Sequence, residues 1–217
     1  CRNYFPGSLN VEGVEIDRKI TNLAGTYFYL PDDVPVTTYD GRAYLQAVDQ
    51  TYDVIMVDAY QDITIPFQMS SVEFFTQVKK HLKPGGVMVV NMNMKSDGAG
   101  SINAYLSDTI ASVFDQVYTA DVSGNTNREL FASDNAEMLD VMAEGVAALR
   151  DGELSSMMGV VSDALTPYEE GDLILTDDKA PVEVLGMRVI DEIIREEIGY
   201  YKDIFKEQGI QGLLNSF

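Results

Sequence analysis

One cysteine and one histidine in 217 residues leave several chemistries without their usual tools. With Cys1 alone no intrachain disulfide can form, which favours a reducing compartment, and we expect a cytoplasmic protein. With His81 alone, a Ser-His-Asp site has little to work with, and no Gly-x-Ser-x-Gly elbow occurs. His81 sits between Lys80 and Leu82 near a helix end, where positive charge suits the helix dipole. No His/Cys/Asp cluster has the spacing of metal ligands, so no metal is expected. No run approaches the roughly 20 apolar residues of a membrane span. Neither a signal peptide nor a low-complexity tract or internal repeat is visible. Basic residues are scarce too: 15 against 35 acidic ones, a formal charge of −20. A phosphate backbone would be repelled, which excludes nucleic acid as the expected partner. Small cations would be attracted, although acidity also serves solubility.

What the chain does have is length enough for a core without staples, with 46% hydrophobic and 23% charged residues. It opens on CRNYFPG, which reads as the tail of a helix stopped by Pro6-Gly7. Cys1 therefore reads as a boundary inside a pattern rather than a lipidated terminus.

Strand and helix patterns alternate through the first 120 residues. VEGVEI reads as a strand, and a helix over 17–30 enters at Asp17. PVTTY is a strand and GRAYLQAV opens a short helix. YDVIMVD is a continuous apolar run and hence a buried strand. Residues 59–69 form a loop, with Pro66 and Phe67 as its rigid apolar half. SSVEFFTQVKKHL (70–82) is an amphipathic helix with a serine cap and Glu73 as a capping box, stopped by Lys-Pro-Gly-Gly. GGVMVVNMN is the next buried strand and SINAYLSDTIASVF the next helix. QVYTADVS and NRELFASD pair as an antiparallel hairpin across a Gly-Asn turn. Residues 136–165 are helical, 169–185 form a loop with a short strand, and the rest is one or two amphipathic helices with a stripe suited to core packing. This predicts an α/β protein, a Rossmann-like mostly parallel sheet with an antiparallel terminal hairpin, covered on both faces. The expected division is a core over 1–135 and a helical extension over 136–217 packed on it.

Three acids close strands: Glu15, Asp40 and Asp58. In open parallel α/β sheets ligands bind outside the carboxyl ends of the strands. Three carboxylates at one such crevice suit a ligand with ribose hydroxyls, an adenine amino group and positive charge. Glu15 can accept from a ribose diol; alternatively it or Asp17 caps the following helix, and Asp17 fits that task better. Asp40-Gly41 can accept from an adenine amino group while the backbone approaches closely, or it is an ordinary turn with an aspartate cap. Asp58, ending an apolar strand, is expected to be partly desolvated and so raised toward a useful base; the bland reading is an aspartate turn. Tyr60, Gln61 and Asp62 follow as a polar cluster on a loop over the crevice, suited to an amine.

VEGVEIDRKI, YDGRAYL, YDVIMVDAY and EFFTQVKKHLKPGGVMVVN, in this order, resemble the methyltransferase-like core of the spermidine synthase family, the polyamine aminopropyltransferases. The late LTDDKAPVE (175–183) is similar to a segment of the bacterial spermidine-synthase-like branch. The resemblance covers roughly residues 9–135 and that late segment. It implies decarboxylated S-adenosylmethionine, or S-adenosylmethionine itself, as co-substrate. By position Glu15 would hold the ribose, Asp40 with Gly41 the adenine, and Asp58 would help deprotonate the attacking amine. It also implies that the family's first strand and glycine-rich loop would lie before Cys1, as would its N-terminal β-hairpin domain. The family's catalytic Asp-x-x-Asp is here Asp58-Ala-Tyr-Gln-Asp62, one residue longer.

The leading expectation is thus aminopropyl transfer to a small cationic amine such as putrescine. A methyltransferase using intact S-adenosylmethionine, or a non-catalytic nucleoside-binding or assembly domain of the same fold, are the alternatives, since fold does not fix reaction. The apolar C-terminal helices would suit packing against a second copy as a homodimer.

Overall fold

The structure, a computed structural model, describes residues 9–59, 65–93, 98–121 and 127–216. The chain alternates as expected at first: β1 (Gly13–Glu15), α1 (Arg18–Tyr27), β2 (Val36–Thr38), α2 (Gly41–Ala47) and β3 (Tyr52–Val57). A 3₁₀ turn (Phe67–Met69) leads into α3 (Val72–Lys80), then β4 (Leu82–Asn93) and α4 (Ile102–Ala111). The hairpin strands are β5 (Gln116–Asp121) and β6 (Asn127–Ser133), paired antiparallel as expected; the Gly-Asn turn lies outside the described residues. The expected helical stretch over 136–165 splits into α5 (Met138–Ala147) and α6 (Gly152–Ala164), because Asp151 starts a new helix by accepting from the Leu154 N–H. A two-residue β7 (Thr166–Pro167) and a long α7 (Val182–Asn215) complete the chain.

Two sheets form. β1 and β2 pair in parallel, with Glu15 opposite Thr38. The larger sheet runs β3-β4-β6-β5-β7, parallel between β3 and β4 and antiparallel thereafter. Among the described residues no ladder joins β1 to β3. Val54 and Met56, paired with Val87 and Val89 and so on the same face as them, are 53% and 71% exposed in a strand expected to be buried.

The pleat explains where the core lies. Successive side chains of a strand face opposite ways, so Met88, Val90 and Met92 of β4 point together and are fully buried. Helices α3 and α4 cover that face with Phe74, Phe75, Val78, Leu106 and Ile110. Each such side chain contributes roughly 1.5–3 kcal/mol by burial. The opposite face carries Val87, Val89 and Asn91, each only half-buried.

Four local expectations are corrected. The helix ends at Lys80, ahead of Lys-Pro-Gly-Gly, but the next strand begins before that segment, which is a bulge inside β4: Leu82 pairs with Tyr52, and pairing resumes at Val87 with Val54. Gly85 takes φ 79°, and a Cβ at Gly86 would stand 2.9 Å from the Lys83 carbonyl and 3.1 Å from that of Tyr52. Only glycines let the backbones approach so closely. The α3 cap is Ser71, whose Oγ accepts from the Phe74 N–H at 3.3 Å. The capping box is not made, because Glu73 accepts from the Asp177 N–H instead. The loop over 169–185 holds no strand; its one pairing is a bridge between Thr176 and Lys179. The apolar stripe of α7 enters the core only over Val182, Leu185 and Val189; beyond them Ile190, Ile194, Ile198, Phe205 and Ile210 are exposed, and Gly209 kinks the helix. Among the described residues no helix is long and apolar enough to cross a membrane.

Candidate functional site

The carboxyl ends of β1 and β2 bring Glu15 and Asp40 to one rim, since the two strands are parallel neighbours and the Tyr39 N–H donates to the Glu15 carbonyl. Glu15 uses Oε1 to accept from the Asp17 N–H at 2.8 Å. Asp17, not Glu15, caps α1, accepting from the Lys19 N–H at 2.7 Å. Asp40 caps α2 through Oδ1, which accepts from the Ala43 N–H at 2.8 Å. An ionised carboxylate has about four acceptor positions, so one local bond each leaves capacity for a ligand. Gly41 opens α2, and a Cβ there would stand 3.4 Å from Met69 Cε, so the helix start packs directly on the 3₁₀ turn.

Asp58 lies at the end of β3, in the other sheet. The anticipated trio is therefore a pair and a single acid, each at the carboxyl ends of parallel strands. Glu12, just before β1, links the bases of the two sheets by accepting from the hydroxyls of Tyr44 and Tyr52. Burial, then the bond to Glu12, pushes the Tyr52 hydroxyl well above its ordinary value.

Asp58 is exposed rather than partly desolvated. It is held by a relay that the sequence reading did not find. Asn127 Nδ2 donates to Asn91 Oδ1 at 3.1 Å, and Asn91 Nδ2 donates to Asp58 Oδ1 at 3.0 Å. Pairing explains the alignment: Asn91 of β4 lies opposite Glu129 of β6, and Asn127 is two residues before Glu129 on the same face. The desolvated acid of this cluster is Glu129. Burial first, and the charge of Asp58 second, push its carboxyl above the ordinary range. The polar alternation of Asn91, Asn127 and Glu129 within apolar strands was the available signal. Tyr60, Gln61 and Asp62 lie outside the described residues.

His81 caps the end of α3, and its ring nitrogens face the carbonyls of Gln77 and Val48 at 2.9 and 3.1 Å. Among the described residues no group of three or more His, Cys, Asp or Glu side chains is arranged to hold a metal ion.

A late strap over 168–179 closes the far side of this region. Buried Asp108 of α4 accepts from the Tyr168 hydroxyl at 2.6 Å and from the Leu173 N–H at 2.9 Å. Thr109 Oγ1 accepts from the Leu175 N–H, and the Leu175 carbonyl accepts from the Val72 N–H. Near the end of the strap Asp177 pairs with Arg42 in the first turn of α2, at 2.7 Å from Nη1 and 2.6 Å from Nη2. The Arg42 guanidinium holds the Asp177 carboxyl below the usual range.

Residues 9–121 match the family described as the spermine/spermidine synthase domain. A Bifidobacterium longum protein named probable polyamine aminopropyl transferase is 56% identical, over 99% of this chain and 52% of that protein. The chain thus spans about half the length of that relative. Among solved structures, a spermidine synthase in complex with the transition-state analogue AdoDATO superposes with a TM-score of 0.56 at 18% identity, covering 70% of this chain and 58% of that one. Human methyltransferase-like protein 13 in complex with SAH gives 0.56 at 22% identity, covering 82% and 80%. At such identities these two structures show a shared class I methyltransferase-like fold.

Proposed function

The chain belongs to the spermine/spermidine synthase family, and from that premise we propose that it serves aminopropyl transfer from decarboxylated S-adenosylmethionine to a diamine such as putrescine. The observation that carries this reading is the Asn127–Asn91–Asp58 relay, with half-buried Glu129 beside it, at the end of the strand where the family's reaction would need a base.

The chemistry is a displacement. The neutral amine nitrogen attacks the methylene carbon next to the sulfonium. A C–N bond forms, the C–S bond breaks, and its electron pair returns to sulfur, releasing methylthioadenosine. Diamines are mostly protonated at neutral pH, so the protein must remove a proton and align the nitrogen. In this reading Asp58 accepts that proton, and Asn91 fixes which way its carboxylate points. Glu15 takes the ribose hydroxyls, and Asp40 with Gly41 takes the adenine amino group. Tyr60, Gln61 and Asp62 contact the amine. The charge of −20 favours a cationic substrate and aids its encounter.

Calorimetric titration with methylthioadenosine, S-adenosylmethionine and decarboxylated S-adenosylmethionine tests the reading. Heat with methylthioadenosine and the decarboxylated compound, followed by methylthioadenosine release on adding putrescine, is expected. Heat from none of the three contradicts it. Methyl transfer from the intact compound, without aminopropyl transfer, replaces it with a methyltransferase.

A further inference from the structure

We propose that Arg42 and Asp177 are positioning residues: a two-pronged clasp that sets the nucleoside side of the site against the segment leading out of the amine loop. The proposal rests on the functional reading above for its ligands, and on the strap's geometry for its mechanics.

The clasp joins three elements distant in sequence. Arg42 stands two residues after Asp40 in the first turn of α2. Both guanidinium prongs engage both oxygens of Asp177, the planar geometry that fixes orientation as well as distance. Nη1 also donates to the Gln68 carbonyl at 2.9 Å, within the 3₁₀ turn that follows the loop after Asp58. Ser71 Oγ donates to Asp177 Oδ1 at 2.5 Å, and the Asp177 N–H donates to Glu73 Oε2 at 3.0 Å. The Arg42 carbonyl accepts from Gln77 of α3.

Every bond of this set crosses between α2, the 66–77 segment and the strap. An ordinary surface ion pair connects two side chains and little else. Here the Arg42 side chain is only 16% exposed, and Met69 packs against the start of α2, its Cε 3.4 Å from where a Cβ of Gly41 would stand. The distance from the Asp40 carboxylate to the exit of the amine loop is therefore set by a side chain more than 130 residues away in sequence. Lysine at position 42 would supply charge without the fork. Loss of the clasp should loosen the start of α2 and the 3₁₀ turn together, and spoil the alignment of donor carbon and amine.

The test compares Asp177→Asn with Gly86→Ala. The alanine methyl at position 86 would crowd the Lys83 and Tyr52 carbonyls at the β4 bulge, a destabilising change outside the site. Amide exchange of the unliganded protein is read first. Asp177→Asn should speed exchange at Ala43, Tyr44, Met69 and Ser70, whereas Gly86→Ala should not. Exchange left unchanged at these amides by Asp177→Asn overturns the clasp.

Methylthioadenosine affinity and putrescine turnover are read next. Asp177→Asn should lower kcat/KM by about tenfold, the order expected when reacting groups are misaligned, and should weaken nucleoside affinity. Asp177→Glu should recover part of both. Equal losses in Asp177→Asn and Gly86→Ala at matched melting temperatures also overturn the proposal. Should the wild-type protein take no methylthioadenosine, the functional reading falls, and the exchange comparison alone decides the clasp.

Discussion

Asn91 on β4 donates from Nδ2 to Asp58 Oδ1 at the end of β3, across 3.0 Å. Asn127 of the antiparallel strand β6 orients that amide in turn. A carboxylate at an exposed strand end has many rotamers open to it, and this relay selects one. The residues that aim Asp58 therefore come from two strands that no local motif connects to it.

Asn91→Leu keeps the shape at position 91 and removes the donor. The carboxylate of Asp58 then loses its fixed direction while Glu15 and Asp40, the proposed nucleoside contacts, are untouched. Turnover should fall by about tenfold or more, as misplaced catalytic groups do, with methylthioadenosine affinity nearly unchanged. Steady-state kinetics beside calorimetry check the split.

Glu129 gives a pH signature of stability. Burial and the neighbouring Asp58 raise its carboxyl in the native state above the ordinary value of 4.5. A raised acid holds its proton more tightly when folded. Stability is therefore undiminished below the unfolded value, and falls as pH climbs from there through the raised native value. Glu129→Gln should melt higher than wild type at pH 7, with the two curves converging near pH 4. Thermal melts across that range decide it.

Asp108 anchors the strap from inside, being only 5% exposed. Its carboxylate accepts from the Tyr168 hydroxyl and the Leu173 N–H. Hydrogen bonds to a charged group contribute about 1.5–3 kcal/mol each. Asp108→Ala removes both and leaves Leu173 without its partner, so denaturant melts should show a loss of roughly 3 kcal/mol.

Much of the fold was legible because periodicity and punctuation agree. Asp17, Asp40 and a serine before Val72 announce helices, and all three caps form. The apolar runs of β3 and β4 announce strands. What eluded the sequence was tertiary. YDVIMVD reads as buried, yet Val54 and Met56 are exposed, because burial depends on which face of the sheet the helices cover, and α3 and α4 cover the other one. LKPGG reads as a stop, yet its glycines admit a bulge that carries the strand through. The short strand expected within 169–185 does not form, and Leu175 binds Thr109 and Val72 instead of a sheet. Within the site the same division holds. Glu15, Asp40 and Asp58 were visible as acids ending strands. Asn91, Asn127 and Glu129 were not, since their importance comes from cross-strand register, which no single segment displays.

The most direct test of the central claim is the rate of methylthioadenosine release from decarboxylated S-adenosylmethionine and putrescine, measured for the wild type and Asp58→Asn beside nucleoside affinity. Asp58→Asn is isosteric, so the nucleoside rim should bind as before. Release by the wild type, near-complete loss in the variant and little change in affinity for methylthioadenosine are expected. Normal turnover by Asp58→Asn, or no release by the wild type, would contradict the central claim.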